Sequence, residues 1–257
     1  MEKIREELIP KIHALAGRKP AHVSPAARSA AYPASAASSG SASQPSAGAG
    51  IVAPISLVVI AVSTGGPAAL AELVPRLPAG PRQPVLIVQH MPPVFTRVLA
   101  QRLASTSPLK VREATHQERV VSGQVLIAPG DHHMRVAGST REAWITLDQG
   151  PAENGCRPAA DPLFTSAAQI YGAGVLAVIM TGLGRDGTKG AAQIRKLSGQ
   201  VWAQDEASST VWGMPGSIVE AGLAQRVIPL QHLARSIAAA CNVTATAPAS
   251  TPTKKAP

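Results

Sequence analysis

Four runs in this chain, ISLVVIAV, PVLIVQH, VLAVIM and QVWAQD, are apolar at nearly every position and rich in valine and isoleucine. A strand with one wet face alternates apolar and polar residues, whereas a strand that is apolar throughout has to be covered on both faces. Behind each run come a turn and a stretch of helical spacing: PAALAELVPRL, VFTRVLAQRL, KGAAQIRKL and GSIVEAGL. Strands that alternate with helices build a parallel sheet. The expected fold class is therefore α/β, doubly wound, with a mainly parallel sheet and helices on both faces. Between about 110 and 150 the pattern changes. KVREATH, VLIAP, HMRVAG and AWITLDQ are shorter, more alternating and separated by turn residues, which predicts antiparallel hairpins inserted at an edge.

The pattern occupies residues 51–243, the expected folded domain. Residues 1–19 read as a helix, with Ile4, Leu8, Ile12 and Leu15 near one face and Pro10 interrupting it. Residues 20–50 are mostly Ala, Ser, Pro and Gly, too poor in large apolar groups to offset chain entropy, and read as a disordered linker. The tail 244–257 has the same character. No apolar run approaches the ~20 residues of a membrane-spanning helix, and MEKIREELIPK lacks the apolar centre of a signal peptide. No membrane insertion is expected, and the location is expected to be cytoplasmic. Cys156 and Cys241 match no metal or redox spacing, in keeping with a reducing compartment.

The net charge of +9 raises the question of a nucleic-acid partner. Eight of the 24 basic groups lie in residues 1–50 and 254–257, leaving 16 against 12 acids elsewhere. The seven aromatics do not interleave with a basic cluster, so no nucleic-acid face is expected.

In doubly wound sheets ligands bind beyond the carboxyl ends of the strands. Three polar side chains end core strands: Ser63 in AVSTGGP, His90 in VQHMPP and Asp186 in TGLGRDG. Each has an ordinary explanation alone, as a helix cap, a loop histidine and a first-turn acid. Together they are what acyl transfer needs: a hydroxyl, an imidazole to take its proton, and a carboxylate to hold the imidazole. Backbone N–H groups from STGGP, at Thr64, and from TGLG, at Leu183, are placed to receive an oxyanion. His132 and His133 adjoin Asp131 in PGDHHM, but no further ligand follows at recognisable spacing, so no metal is expected.

Gly182, Gly184 and Gly187 also satisfy the dinucleotide fingerprint, with Asp205 and Glu206 following near the ribose-binding distance. Asp186 inside that turn would oppose a pyrophosphate at the helix N-terminus. The turn reads instead as a holder for the aspartate, and no cofactor is expected.

With these residues in place, the chain resembles the catalytic domain of the chemotaxis protein-glutamate methylesterases (CheB type). The matching stretches are IAVSTGGP, VLIVQHMPPVFTRVLAQRL, VLIAPGDHHM, VIMTGLGRDGTKGA and AQDEASSTVWGMPGSIVEAG. The resemblance makes 51–243 a methylesterase catalytic domain with Ser63, His90 and Asp186 as its triad. It implies hydrolysis of glutamyl methyl esters on methyl-accepting chemotaxis receptors, with deamidation of receptor glutamines at the same site. Trp212, Met214 and Pro215 are expected to line the substrate cleft, and Leu183 stands where Met is expected. The family commonly carries an N-terminal phosphoacceptor receiver domain. Residues 1–50 contain no aspartate, so none is expected here, and EKIREELIPKIHALAGRK resembles the helix leading out of one. The competing readings are a nucleotide-binding oxidoreductase module built on GLGRDG and a non-catalytic receptor adaptor.

Overall fold

The computed structural model describes residues 53–77 and 83–241. The expected helix 1–19, the linker 20–50 and the tail 244–257 lie outside the described residues.

The chain runs β1 (Leu57–Val62), α1 (Gly66–Leu73), β2 (Val85–Gln89), α2 (Phe95–Thr106), β3 (Lys110–Glu113), β4 (Gln124–Ile127), β5 (His133–Gly138) and β6 (Ala143–Asp148). It continues through α3 (Ala160–Tyr171), β7 (Val175–Ile179), α4 (Thr188–Lys196), β8 (Gln200–Gln204), α5 (Met214–Glu220), β9 (Arg226–Ile228) and α6 (Leu230–Cys241). Seven strands form one sheet in the order β3-β4-β2-β1-β7-β8-β9, every adjacent pair parallel.

Because successive strand residues point to opposite faces, β1 feeds two cores at once. Val58, Ile60 and Val62 enter the layer beneath α1, α2 and α6, together with Leu70, Leu103 and Leu233. Leu57, Val59 and Ala61 enter the other layer with Phe164 of α3, Ile194 of α4 and Ile218 of α5. All six β1 residues are buried, which accounts for the absence of alternation in their sequence.

The middle region departs from expectation. Among the described strands β5 and β6 alone form an antiparallel ladder, with an isolated antiparallel bridge from Arg119 to Trp144 beside it. Lys110–Glu113 and Gln124–Ile127 extend the main sheet in parallel instead. Nor does the hairpin sit at an edge: Met134, Val136 and Ile145 join the core that α3 and α4 cover, so it lies across a face of the sheet. The alternation of KVRE arises because β3 is an edge strand, with Val111 buried and Lys110 and Arg112 exposed. The short β9 has no counterpart in the sequence reading.

From β1 the chain builds outward through β2 and β4, then returns to add β7 on the other side of β1. That reversal opens a crevice at the carboxyl ends of β1 and β7, the place where such sheets bind ligands.

Candidate active site

Ser63 follows β1, His90 follows β2 and Asp186 lies in the turn after β7, so all three sit at the rim of that crevice. The backbone ties these ends together. His90 N–H donates to Val62 O (3.2 Å), Ser63 N–H to Thr181 O (3.0 Å) and Met180 N–H to Ala61 O (2.9 Å). His90 Nε2 and Asp186 Oδ2 are 2.7 Å apart, with side-chain exposures of 9% and 2%. An ionised carboxylate only accepts, so the Nε2 position carries the proton and Nδ1 is left with a lone pair. Among the described residues no hydrogen bond joins Ser63 Oγ to the ring.

Asp186 has further partners. Asn154 Nδ2 donates to Oδ1 (2.8 Å), as do the backbone N–H groups of Gly187 (2.9 Å) and Asp161 (3.3 Å), and Ala160 N–H donates to Oδ2 (2.5 Å). Burial alone pushes the Asp186 carboxyl up. The bonds from His90, Ala160 and Asn154, with the attraction of His90, outweigh it and hold the group below the ordinary carboxylate range. A second buried carboxylate, Asp161, behaves oppositely. Burial first, then the charges of Asp186 and Glu153, push it up, despite bonds from Gly190 N–H (2.8 Å) and Asn154 Nδ2 (2.9 Å).

The same bonds bear on the glycine fingerprint. A pyrophosphate cradle needs free amides at the helix N-terminus. Here the amides of Gly187 and Gly190 at the start of α4 already hold the Asp186 and Asp161 carboxylates. Asp205, the expected ribose ligand, bonds Ser208 N–H (3.2 Å) and its hydroxyl instead. The glycines serve geometry: Gly184 and Gly187 take φ of 91° and 90°, the left-handed region that favours glycine.

The backbone N–H groups of Thr64 and Leu183 donate to no protein acceptor among the described residues. Leu183 is 72% exposed. Of the three expected cleft residues, Trp212 is half-buried, and its Nε1 donates to Gln204 O (3.3 Å). Met214 and Pro215 are buried at the start of α5. Met214, at 0% exposure, packs under the Gly182 backbone beside Ser63. Beside His90 a cavity of about 550 Å³ is lined by Met91, Pro92, Asp131, Cys156 and Arg157. Arg157 Nη2 reaches Asp131 Oδ1 at 2.5 Å and, with its other donors, carbonyls of Gln149 and Gly150, fixing that wall. His133 is spent on the backbone, accepting from Ala159 N–H (3.3 Å) and bonding Pro151 O (3.0 Å). Among the described residues no three His, Cys, Asp or Glu side chains converge as metal ligands.

Residues 58–237 match the family described as CheB methylesterase. The chain belongs to the CheB methylesterase family. It is 53% identical over 187 residues to the Caulobacter vibrioides protein named protein-glutamate methylesterase/protein-glutamine glutaminase 2, covering 72% of this chain and 54% of that one. With a Nocardioides protein named protein-glutamate methylesterase/protein-glutamine glutaminase it shares 46% identity over 237 residues, 92% of this chain and 63% of the relative. The chain thus spans about half to two thirds of the length of these curated relatives. The crystal structure of the Thermotoga maritima CheB methylesterase catalytic domain superposes with a TM-score of 0.71 at 42% identity, covering 73% of this chain and 99% of that domain. None of these findings supports the nucleotide-binding alternative.

Several polar residues that shape this CheB-type site escaped the sequence reading. Thr181 Oγ1 donates to Thr64 O (2.9 Å) and accepts from Val211 N–H (3.0 Å). Gln204 Oε1 accepts from Thr181 N–H (2.9 Å), and Gln89 Nε2 donates to Ser63 O (3.0 Å). All three are buried at the ends of apolar strands. A polar residue closing an apolar run, as in VLIVQH, was a usable signal. For Asn154 the Asn-Gly pair marks a tight turn but not its partner, and Asp161 carried no signal.

Proposed function

We propose that this chain is a serine hydrolase that removes methyl groups from glutamyl esters of chemoreceptors and deamidates receptor glutamines, acting in the cytoplasm. The observation that carries the reading is the His90–Asp186 bond at the strand-reversal crevice, one strand from Ser63. Ser63 Oγ attacks the acyl carbon while His90 Nδ1 takes its proton. Asp186, kept ionised by its donors, stabilises the imidazolium. The oxyanion is received by the N–H groups of Thr64 and Leu183. Collapse expels methanol, or ammonia from a glutamine, with the proton returned by His90, and water then repeats the sequence on the acyl-enzyme. Ester and amide substrates share the acyl carbon, so one site serves both.

Methanol release from membranes carrying methylated receptors tests the reading. Release with methylated membranes and none with unmethylated ones is expected, and no release from either would sink it. In the adaptor alternative neither membrane yields methanol.

A further inference from the structure

Asn154 sits in a tight turn in which Glu153 and Cys156 exchange backbone hydrogen bonds of 3.1 and 2.9 Å, and its φ of 52° is followed by 74° at Gly155. This is the Asn-Gly geometry of a two-residue hairpin loop with both central residues left-handed. The turn projects one side-chain amide between two buried carboxylates, donating to Asp161 Oδ2 (2.9 Å) and Asp186 Oδ1 (2.8 Å). An amide nitrogen carries two hydrogens, so both bonds form at once.

Without that nitrogen, the two acids would face each other across a desolvated gap at the start of α3 and α4. Asp186 Oδ1 would keep only backbone donors, and like charges at this range repel strongly where water is excluded. The repulsion would then push Asp186 against its remaining backbone donors and tilt the carboxylate, and Oδ2 is the atom His90 relies on. Asp161 is itself fixed by Gly190 N–H, so it anchors the far end of the bridge.

We infer that Asn154 is a positioning residue, its amide cross-linking Asp161 to Asp186 so that Asp186 Oδ2 stays aimed at His90 Nε2. The kinetic consequence rests on the hydrolase reading, whereas the geometric one does not. Two substitutions keep the turn, since Gly and Asp both suit the left-handed position. Asn154→Gly removes the amide, and Asn154→Asp replaces it with an acceptor that both carboxylates oppose.

The test uses the full chain. In the parent, the His90 ring proton shared with Asp186 gives a low-field proton NMR signal. In both variants that signal shifts or broadens. Methanol release falls in kcat by roughly 10²-fold, the scale for a misplacement of about 1 Å, while KM moves less than about two-fold. A ring-proton signal unchanged from the parent in both variants overturns the inference, as does a loss seen in KM with kcat intact. The signal reports on geometry even if methanol release proves absent, so failure of the hydrolase reading and failure of this one are separable.

Discussion

Gly182→Ala puts the proposed nucleophile under direct strain. A Cβ at this position would lie 2.5 Å from Met214 Sδ, 2.7 Å from Ser63 Cβ and 3.1 Å from Ser63 N. Carbon atoms rest at about 3.5–4.0 Å, so roughly 1 Å of movement is needed. The Gly182 backbone cannot easily supply it. Its N–H donates to Val211 O (2.9 Å), and its carbonyl accepts from Gly213 N–H (3.1 Å) and Met214 N–H (2.8 Å). Met214 is fully buried, so much of the displacement falls on Ser63. Overpacking of this kind costs about 1–3 kcal/mol, which for a domain of this size lowers Tm by roughly 2–12 °C. A shift of about 1 Å in a reacting group costs on the order of 10²-fold in rate. Gly184→Ala is the control. Its φ of 91° strains an alanine by about 1–2 kcal/mol, but a Cβ there meets nothing within 4 Å. Thermal unfolding and methanol release on both variants should show comparable loss of stability, with turnover lost in Gly182→Ala alone. Equal turnover in the two variants would refute the reasoning.

Other consequences can be checked independently. Thr181→Val preserves shape but leaves Val211 N–H and Thr64 O without their hydroxyl partner, so denaturant unfolding should register a loss of about 1–3 kcal/mol. No measurable loss would mean the hydroxyl does not tie the β1 turn to the 211–214 loop. Asp161 and Asp186 should respond to pH with opposite sign. Asp186, with its native pKa lowered, stabilises fully above the ordinary value of about 3.9 and loses that contribution as pH falls through the native pKa. Asp161, with its pKa raised, contributes fully below that value and loses the contribution as pH rises through its native pKa. Urea unfolding from pH 4 to 7 should therefore show the parent losing ground to Asp161→Asn as pH rises, and a gap independent of pH would contradict this.

The strands buried on both faces were the legible part of the fold. β1, β2, β7 and β8 announce themselves because every residue but Gln200, whichever way it points, is buried. The same physics hid β3, since an edge strand with Lys110 and Arg112 exposed looks like one arm of a hairpin. It hid β9 as well, where only Ile228 of three residues is buried. Ser63, His90 and Asp186 could be singled out because topology fixes where strand ends gather. Asn154 and Asp161 could not, because their relation to Asp186 is made across 32 and 25 residues by a loop and a helix start. Met214 packs against Gly182 beside Ser63, a contact that spacing along one sequence does not show.

The role of Ser63 as the attacking group is tested most directly by Ser63→Ala, assayed for methanol release beside the parent. A single oxygen is removed, and the low-field His90 ring signal shows whether its neighbours have moved. The account predicts an unchanged melting curve, a retained ring signal and turnover lower by roughly 10⁴–10⁶-fold. Turnover near the parent's, from a protein as stable as the parent, would contradict it.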